Sequence, residues 1–306
     1  MRRPRVLFVA YYLAALFLIL FFKNRTNDLI VENSHFVNTV LTGVEEFQNF
    51  FPIAYMLNFI DTYDSLPTIY VITPTYNRLT QIADLTRLKN TLQLVPKVVW
   101  IIVEDSLDKT DKIINFVFDS NLKIVHLVEK TLPTVKPSGT VGHKGVEQRN
   151  RALKWLKESN VANGAFYFAD DDNSYDIRLF EEIRSVERIG VWPVGLVGGI
   201  KYEAPICKNN KVIDWFFVYN PRRYFPTDMA SFALNVKLLH EFEDIYFERF
   251  TRGDLEGVFL KKFQIKMNEL EPKANNCSKI YVWHTRTRKE IIKSGIDFDK
   301  EIMKQI

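Results

Sequence analysis

From residue 67 onward the chain alternates short β-branched and aromatic runs with stretches whose apolar residues return every three or four positions. Residues 69–73 predict a strand that closes in Pro74-Thr75-Tyr76-Asn77. Leu79, Ile82, Leu85, Leu88 and Leu92 then share one face of a helix. A second buried strand is predicted over 98–103, ending in Glu104-Asp105, followed by a short helix over 111–118 and a strand over 123–128. A loop rich in Thr, Pro and Gly occupies 130–145. Beyond it come a helix over 146–158, an aromatic strand running into Asp170, and a helix over 176–189. The second half is less regular: strands are predicted over 195–200, 212–218 and 280–283, a helix over 257–263, and 228–239 leads into a helix. Strand–helix alternation of this kind predicts an α/β fold with a mostly parallel sheet covered by helices on both faces. The less regular half is expected to share a cleft with it.

The N-terminus follows a different pattern. Arg2, Arg3 and Arg5 precede an uncharged run from Val6 to Phe22, and Lys23 and Arg25 follow it. As a helix, this run would span about 26 Å at ~1.5 Å per residue, close to a thin bilayer. It ends Leu18-Ile19-Leu20-Phe21-Phe22 without a small-x-small cleavage site, which favours an uncleaved signal anchor over a removed signal peptide. The flanking charges point the N-terminal residues 1–5 to the cytosol, which leaves everything after Lys23 in a lumen. Residues 23–66 then read as a stem, unusually apolar from Phe36 to Phe59.

Composition narrows the class. The chain of 306 residues is 47% hydrophobic and 25% charged, ordinary globular material. Its formal charge of +4 is thinly spread, with no basic stripe interleaved with aromatics, so nucleic acid is not an expected partner. Cys207 and Cys277 are the only cysteines, too few for an all-cysteine zinc site; whether they pair is open at the level of sequence. Two sequons, Asn24-Arg25-Thr26 and Asn276-Cys277-Ser278, are compatible with a lumenal address.

The richest chemistry lies in Phe166-Tyr167-Phe168-Ala169-Asp170-Asp171-Asp172-Asn173-Ser174-Tyr175. An apolar strand ends here in three adjacent carboxylates, and ligands of open α/β sheets bind beyond such strand ends. Three neighbouring Asp raise each other's pKa unless a cation neutralises them, and oxygen-only ligation suits Mg²⁺ or Mn²⁺. An acidic turn capping the helix near Asp176 accounts for the same residues equally well.

Several blocks, taken together, resemble the metal-dependent β-1,3-glucuronyltransferases, Golgi enzymes that extend proteoglycan-linker or glycoprotein glycans. They are Pro67-Thr-Ile-Tyr-Val-Ile-Thr-Pro-Thr-Tyr-Asn-Arg78, Val103-Glu104-Asp105, Gly145-Val-Glu-Gln-Arg-Asn150, Phe166 to Tyr175, Trp192-Pro-Val-Gly-Leu-Val-Gly-Gly199, Phe225-Pro-Thr-Asp-Met-Ala230, Leu255-Glu256 and Val282-Trp-His-Thr-Arg-Thr287. The resemblance implies an A-type glycosyltransferase fold behind an N-terminal transmembrane helix. In it a Rossmann-like UDP-sugar-binding half (67–200) is fused to a mixed acceptor-binding half (201–306). It further implies a single-pass type II Golgi membrane protein with a lumenal catalytic domain, and a homodimer.

Position by position, the resemblance puts Pro74, Thr75 and Tyr76 beside the uridine, and gives Asp105 the uracil or ribose. Arg149 would bind the donor, while Lys144 stands where the family pattern has a second Arg, keeping the charge without the bidentate fork. Asp172 would ligate Mn²⁺, with Asp170 and Asp171 reaching the ribose, the sugar or metal-bound water. His284 and Arg286, two apart on a strand, would share a face toward the donor's phosphates and sugar. Glu256 would be the catalytic base of an inverting transfer, although a Glu near a helix start is also ordinary dipole chemistry. Glu203, Arg223 and Asp228 would hydrogen-bond the acceptor sugar. The implied reaction moves glucuronic acid from UDP-glucuronate to the 3-hydroxyl of a terminal galactose. Two rivals are the same fold using another UDP-sugar, such as UDP-xylose, and a non-catalytic membrane-tethered glycan-binding protein.

Overall fold

The computed structural model describes residues 65–133, 142–251, 253–288 and 291. The expected anchor at 6–22, nearly all of the stem, the Asn24 sequon and part of the 130–145 loop lie outside the described residues. Among the described residues no helix is long and apolar enough to cross a membrane.

At the centre stand β1 (Thr68–Thr75), β2 (Val98–Glu104), β3 (Ile124–Val128) and β4 (Gly164–Phe168). They run parallel in the order β4-β1-β2-β3. Strands covered on both faces read as continuous apolar runs, and Val-Val-Trp-Ile-Ile-Val-Glu of β2 is buried throughout. The sheet continues beyond β4 through β10 (Phe232–Asn235), β6 (Ile189–Val191) and β11 (Glu271–Pro272). Strand β10 is antiparallel to both its neighbours. On one face pack α1 (Gln81–Leu92), α2 (Asp111–Phe118) and α4 (Arg178–Arg184), through Leu85, Leu88, Ile113, Phe116 and Phe180. On the other pack α3 (Val146–Glu158) and α6 (Leu255–Lys261), through Leu153, Leu156, Phe259 and Leu260.

A second sheet, in the order β5-β12-β7-β8-β9, consists of β5 (Ser174–Tyr175), β7 (Val194–Gly195), β8 (Tyr202–Lys208), β9 (Lys211–Phe216) and β12 (Val282–Trp283). Cys207 on β8 is disulfide-bonded to Cys277, with their Cα atoms 6.0 Å apart. Cys277 closes a turn at Ala274–Cys277 whose four residues all have φ between 53° and 62°.

Several expectations change. The helix expected over 176–189 stops at Arg184, because Ile189-Gly190-Val191 joins the main sheet beside β10. The strand expected over 195–200 keeps only Gly195, since Leu196, Gly198 and Gly199 have positive φ and turn the chain into β8. Gly198 is needed there: a Cβ would fall 2.2 Å from Glu203 Oε1. The 228–239 stretch is a single turn, then β10, then the short helix α5 (Leu238–Glu241). Strand β8, which the sequence pattern does not predict, exposes several of its residues and lacks the apolar run that marks the central strands.

Candidate active site

The chain order reverses at β1: β2 and β3 lie on one side, β4 on the other. A crevice at the carboxyl ends of the strands forms at such a switch point. Thr75 is level with Glu104, and Ile72 with Phe168, so the residues after β1, β2 and β4 emerge together. They border a cleft of about 730 Å³. Pro74, Thr75, Tyr76, Asp105, Lys144, Arg149, Asp170, Asp171 and Asp172 all line it.

These nine expected donor-side residues are in different states. Tyr76 is 56% exposed, and the Arg78 guanidinium lies 4.7 Å from its ring centroid. Asp105 accepts from the backbone N–H of Thr131 (2.9 Å) and from its hydroxyl (2.8 Å). Burial pushes the Asp105 carboxyl up, but Thr131 and Lys130 outweigh it and hold the group below its ordinary value. Asp171 is buried and spoken for: the Thr75 hydroxyl donates to it at 2.7 Å and Arg78 pairs with it at 2.7 Å. Burial raises its carboxyl against the opposing effect of Arg78. Asp170 pairs with Arg149. Arg149 fits because residue 145 is Gly: φ is 73° there, and a Cβ would lie 2.5 Å from Arg149 Nη1. Lys144 is exposed on the rim.

Asp172 differs from its two neighbours. Its backbone carbonyl accepts from the Thr285 hydroxyl at 2.6 Å, whereas its carboxylate accepts no hydrogen bond from the described residues. Burial, then the charge of Asp170, raises its pKa. A divalent cation would reverse both effects, and an unengaged carboxylate at the cleft wall fits one. Among the described residues no group of three or more His, Cys, Asp or Glu is arranged to hold a metal alone. A cation on Asp172 would therefore draw its other oxygens from substrate phosphates and water.

The period of two along β4 ties the rest of the site to this cleft. Phe168 points to one face, where it meets Phe247 (5.0 Å between centroids) and Phe259 (5.9 Å), and those two rings stack at 4.0 Å. Phe259 is three residues beyond Glu256 on α6, so the aromatic cluster fixes that helix relative to the acidic turn. Tyr167 points the other way. Its hydroxyl and the Trp192 indole N–H both donate to the Ala230 carbonyl, at 3.0 and 2.8 Å, anchoring the turn that begins at Asp228.

Glu256, Asp228, His284, Arg286, Glu203 and Arg223 do not line the 730 Å³ cleft. Glu256 keeps a strip of solvent exposure, yet burial followed by the charge of Asp228 raises its carboxyl to about 7. Arg149 and Arg223 act in the opposite direction. Arg149 is thus the charge that Glu256 shares with Asp170. His284 Nδ1 lies 3.4 Å from Asp228 Oδ2, and that carboxylate raises the imidazole above its ordinary value. Arg286 is exposed.

Glu203 and Arg223 are 3.6 Å apart, with side chains only 3% and 5% exposed. Arg223 donates to the carbonyls of Tyr219 and Thr227 and so braces the 219–228 loop. Sequence reasoning gave no role to Arg78, Thr131, Gln148 or Thr287, all of which line the cleft. Of these, Arg78 had a signal: it is a cation just past the end of a buried strand, three positions after Thr75.

An acidic turn and a nucleotide-sized cleft at the switch point of a mostly parallel sheet, with a carboxylate raised to about 7 that feels the charge of Arg149 on the cleft wall, describe a group-transfer enzyme of the glycosyltransferase type. The model of glycosyltransferase family 43 matches residues 88–288, and the chain belongs to that family. It is 44% identical over 239 residues to the human galactosylgalactosylxylosylprotein 3-beta-glucuronosyltransferase 1, covering 75% of this chain and 72% of that protein. It is 45% identical over 243 residues to the Caenorhabditis elegans enzyme of the same description, covering 76% and 68%. Against the human 3-beta-glucuronosyltransferase 2 the identity is 43% over 232 residues, covering 73% and 70%.

Proposed function

We propose that this protein is an inverting β-1,3-glucuronosyltransferase, moving glucuronate from UDP-glucuronate to the 3-hydroxyl of the terminal galactose in a galactosylgalactosylxylosyl-protein. The observation that carries the reading is Glu256, a carboxylate raised to about 7 that shares Arg149 with the acidic turn. Near neutral pH such a group can both hold and release a proton, as a general base must. Glu256 takes the proton of the attacking galactose hydroxyl as that oxygen bonds the anomeric carbon on the face opposite UDP. Help of this type is worth ~10²–10⁴ in rate.

The other residues bind and orient. Tyr76 offers an exposed ring face to the uracil, and Asp105 keeps acceptor capacity for the base or ribose. Arg149 and Lys144 place positive charge beside the glucuronate carboxylate or the phosphates. His284, made more cationic by Asp228, faces the diphosphate together with Arg286. Asp228, Glu203 and Arg223 shape the acceptor side. Asp172 would hold Mn²⁺, which when bound neutralises the diphosphate as UDP departs.

Converting Glu256→Gln abolishes transfer while UDP still binds with Mn²⁺; undiminished turnover would remove the base. In Asp172→Ala, metal-dependent UDP binding is lost by titration calorimetry, and unchanged affinity there would overturn the metal assignment. A matrix of UDP-sugars against galactose-terminated acceptors, with Mn²⁺ and with chelator, tests the substrates directly.

The A-type fold, the type II anchor at 6–22, the Golgi lumen and a homodimer belong to the same reading. The Cys207–Cys277 disulfide supports it, since such bonds persist in oxidising compartments.

A further inference from the structure

The strand expected to carry His284 and Arg286 ends at Trp283, where the Thr285 N–H turns back onto the Trp283 carbonyl, and 284–288 continue as an irregular strap. His284 and Arg286 are the residues assigned to the donor, whereas Thr285 is bonded to the acidic turn and Thr287, which lines the cleft, to Asp84 on α1. The Thr285 hydroxyl donates to the Asp172 carbonyl at 2.6 Å and lies 3.2 Å from the Ser174 hydroxyl. The Thr287 hydroxyl donates to Asp84 Oδ1 at 2.6 Å. Asp84, on α1, is 1% exposed and does not line the cleft. Its carboxylate also takes Arg78 (2.9 Å) on one oxygen and Arg87 (2.9 Å) on the other. Arg78 continues to Asp171 at 2.7 Å, and Arg87 reaches the Thr287 hydroxyl (3.2 Å) and the Asp172 carbonyl (3.4 Å). One buried carboxylate therefore holds the strap at Thr287, the acidic turn at Asp171 through Arg78, and the Asp172 carbonyl through Arg87.

A buried Asp with two guanidiniums and a hydroxyl is fully engaged, and such networks are rigid when every member is satisfied. Nothing in the transfer chemistry requires a carboxylate at this place. We infer that Asp84 is a positioning residue: it latches the 284–288 strap onto the acidic turn, so that His284, Arg286 and Asp172 meet a donor as one preformed unit. This deepens the donor-site reading given above and rests on it. Without the latch, the strap must be ordered each time a nucleotide binds, and the cost appears as lost donor affinity. On the acceptor side Arg223 braces its loop independently of the strap, and Asp228 meets the strap at His284.

The test uses the full-length chain with Thr287→Val, which removes the hydroxyl at nearly constant shape, Asp84→Asn, and Thr287→Ser, which restores the hydroxyl. The first readout needs no ligand. Hydrogen–deuterium exchange of the amides in 282–288 quickens at least tenfold in Thr287→Val and returns to the wild-type rate in Thr287→Ser, while β2 and α3 are unchanged. In the second, the affinity for UDP with Mn²⁺ falls at least fivefold in Thr287→Val and in Asp84→Asn, and the double variant binds no more weakly than Asp84→Asn alone. The KM for acceptor rises less than the affinity for UDP falls, since only Asp228 of the acceptor residues meets the strap.

Wild-type exchange rates in Thr287→Val overturn the latch, as do multiplicative losses in the double variant. If Asp84→Asn does not fold, Thr287→Val and Thr287→Ser still decide through exchange. A wild-type protein that failed to bind UDP would count against the donor reading, and the exchange result would still judge the latch by itself.

Discussion

Glu256 shows how much a single residue owes to its surroundings. A glutamate in the first turn of a helix ordinarily favours its charged form through the helix dipole. Here burial and Asp228 prevail and raise it to about 7. With Glu256 as the base proposed above, the rate of transfer should climb as the pH rises through about 7 and level off above it, measured as kcat/KM in the wild type. Stability moves the opposite way. Between roughly pH 4.5 and 7 the folded state keeps a proton on Glu256 that the unfolded chain has released, so stability falls as pH rises through that window. Glu256→Gln removes the titration. Its stability relative to wild type should improve by about 3 kcal/mol between pH 4 and pH 8 in denaturant unfolding.

Gly145 is the second case at this scale. Alanine there meets both a φ of 73° and the Arg149 guanidinium. Gly145→Ala should cost about 1–2 kcal/mol in unfolding and weaken UDP binding as Arg149 is displaced, measured by calorimetry.

At the scale of elements, β4 connects packing to chemistry. Its alternation sends Phe168 toward α6 and Tyr167 toward the Asp228 turn, so one strand sets two parts of the site that are 58 residues apart in chain order, Asp170 and Asp228. Phe259→Ala opens a hole beneath Glu256. It should destabilise the protein by about 3–5 kcal/mol and reduce kcat more than it raises the KM for donor, since the donor wall proposed on β1 and β2 is untouched.

Burial also explains which elements were legible from sequence. Strands β1 and β2 are buried on both faces and declare themselves as continuous apolar runs, and α1 and α3 by a three-to-four residue period. Strand β10 did not. Phe232-Ala-Leu-Asn has no period long enough to separate strand from helix, and pairing with β4 and β6 decides it. The two-residue strands β5, β7 and β12 exist only because each finds a neighbour in the second sheet.

Across the molecule, the disulfide joins β8 of the second sheet to the turn that follows β11 of the first. Closing 70 residues of chain restrains the unfolded state by an amount worth about 4 kcal/mol in the chain-entropy account. Cys207→Ser should lower the unfolding free energy by about that much, and reductant should do the same to the wild type but not to the variant.

What the amino-acid order determined by itself was local or repetitive. It set the apolar periods, the strand-ending acids at Asp105 and Asp170 to Asp172, and the family blocks, because each is a property of neighbouring residues. The tertiary structure decided the state of each charged group, which depends on partners far along the chain. Asp171 is tied up by Thr75 and Arg78, while the Asp172 carboxylate accepts no hydrogen bond from the described residues. Glu203 and Arg223 are buried against each other, and Asp84 turns from an unremarked helix acid into the point where three segments meet. Three identical aspartates in a row carry no mark of which ones will be paired among the described residues; distance to the nearest cation or hydroxyl settles that, and it exists only once the chain has folded.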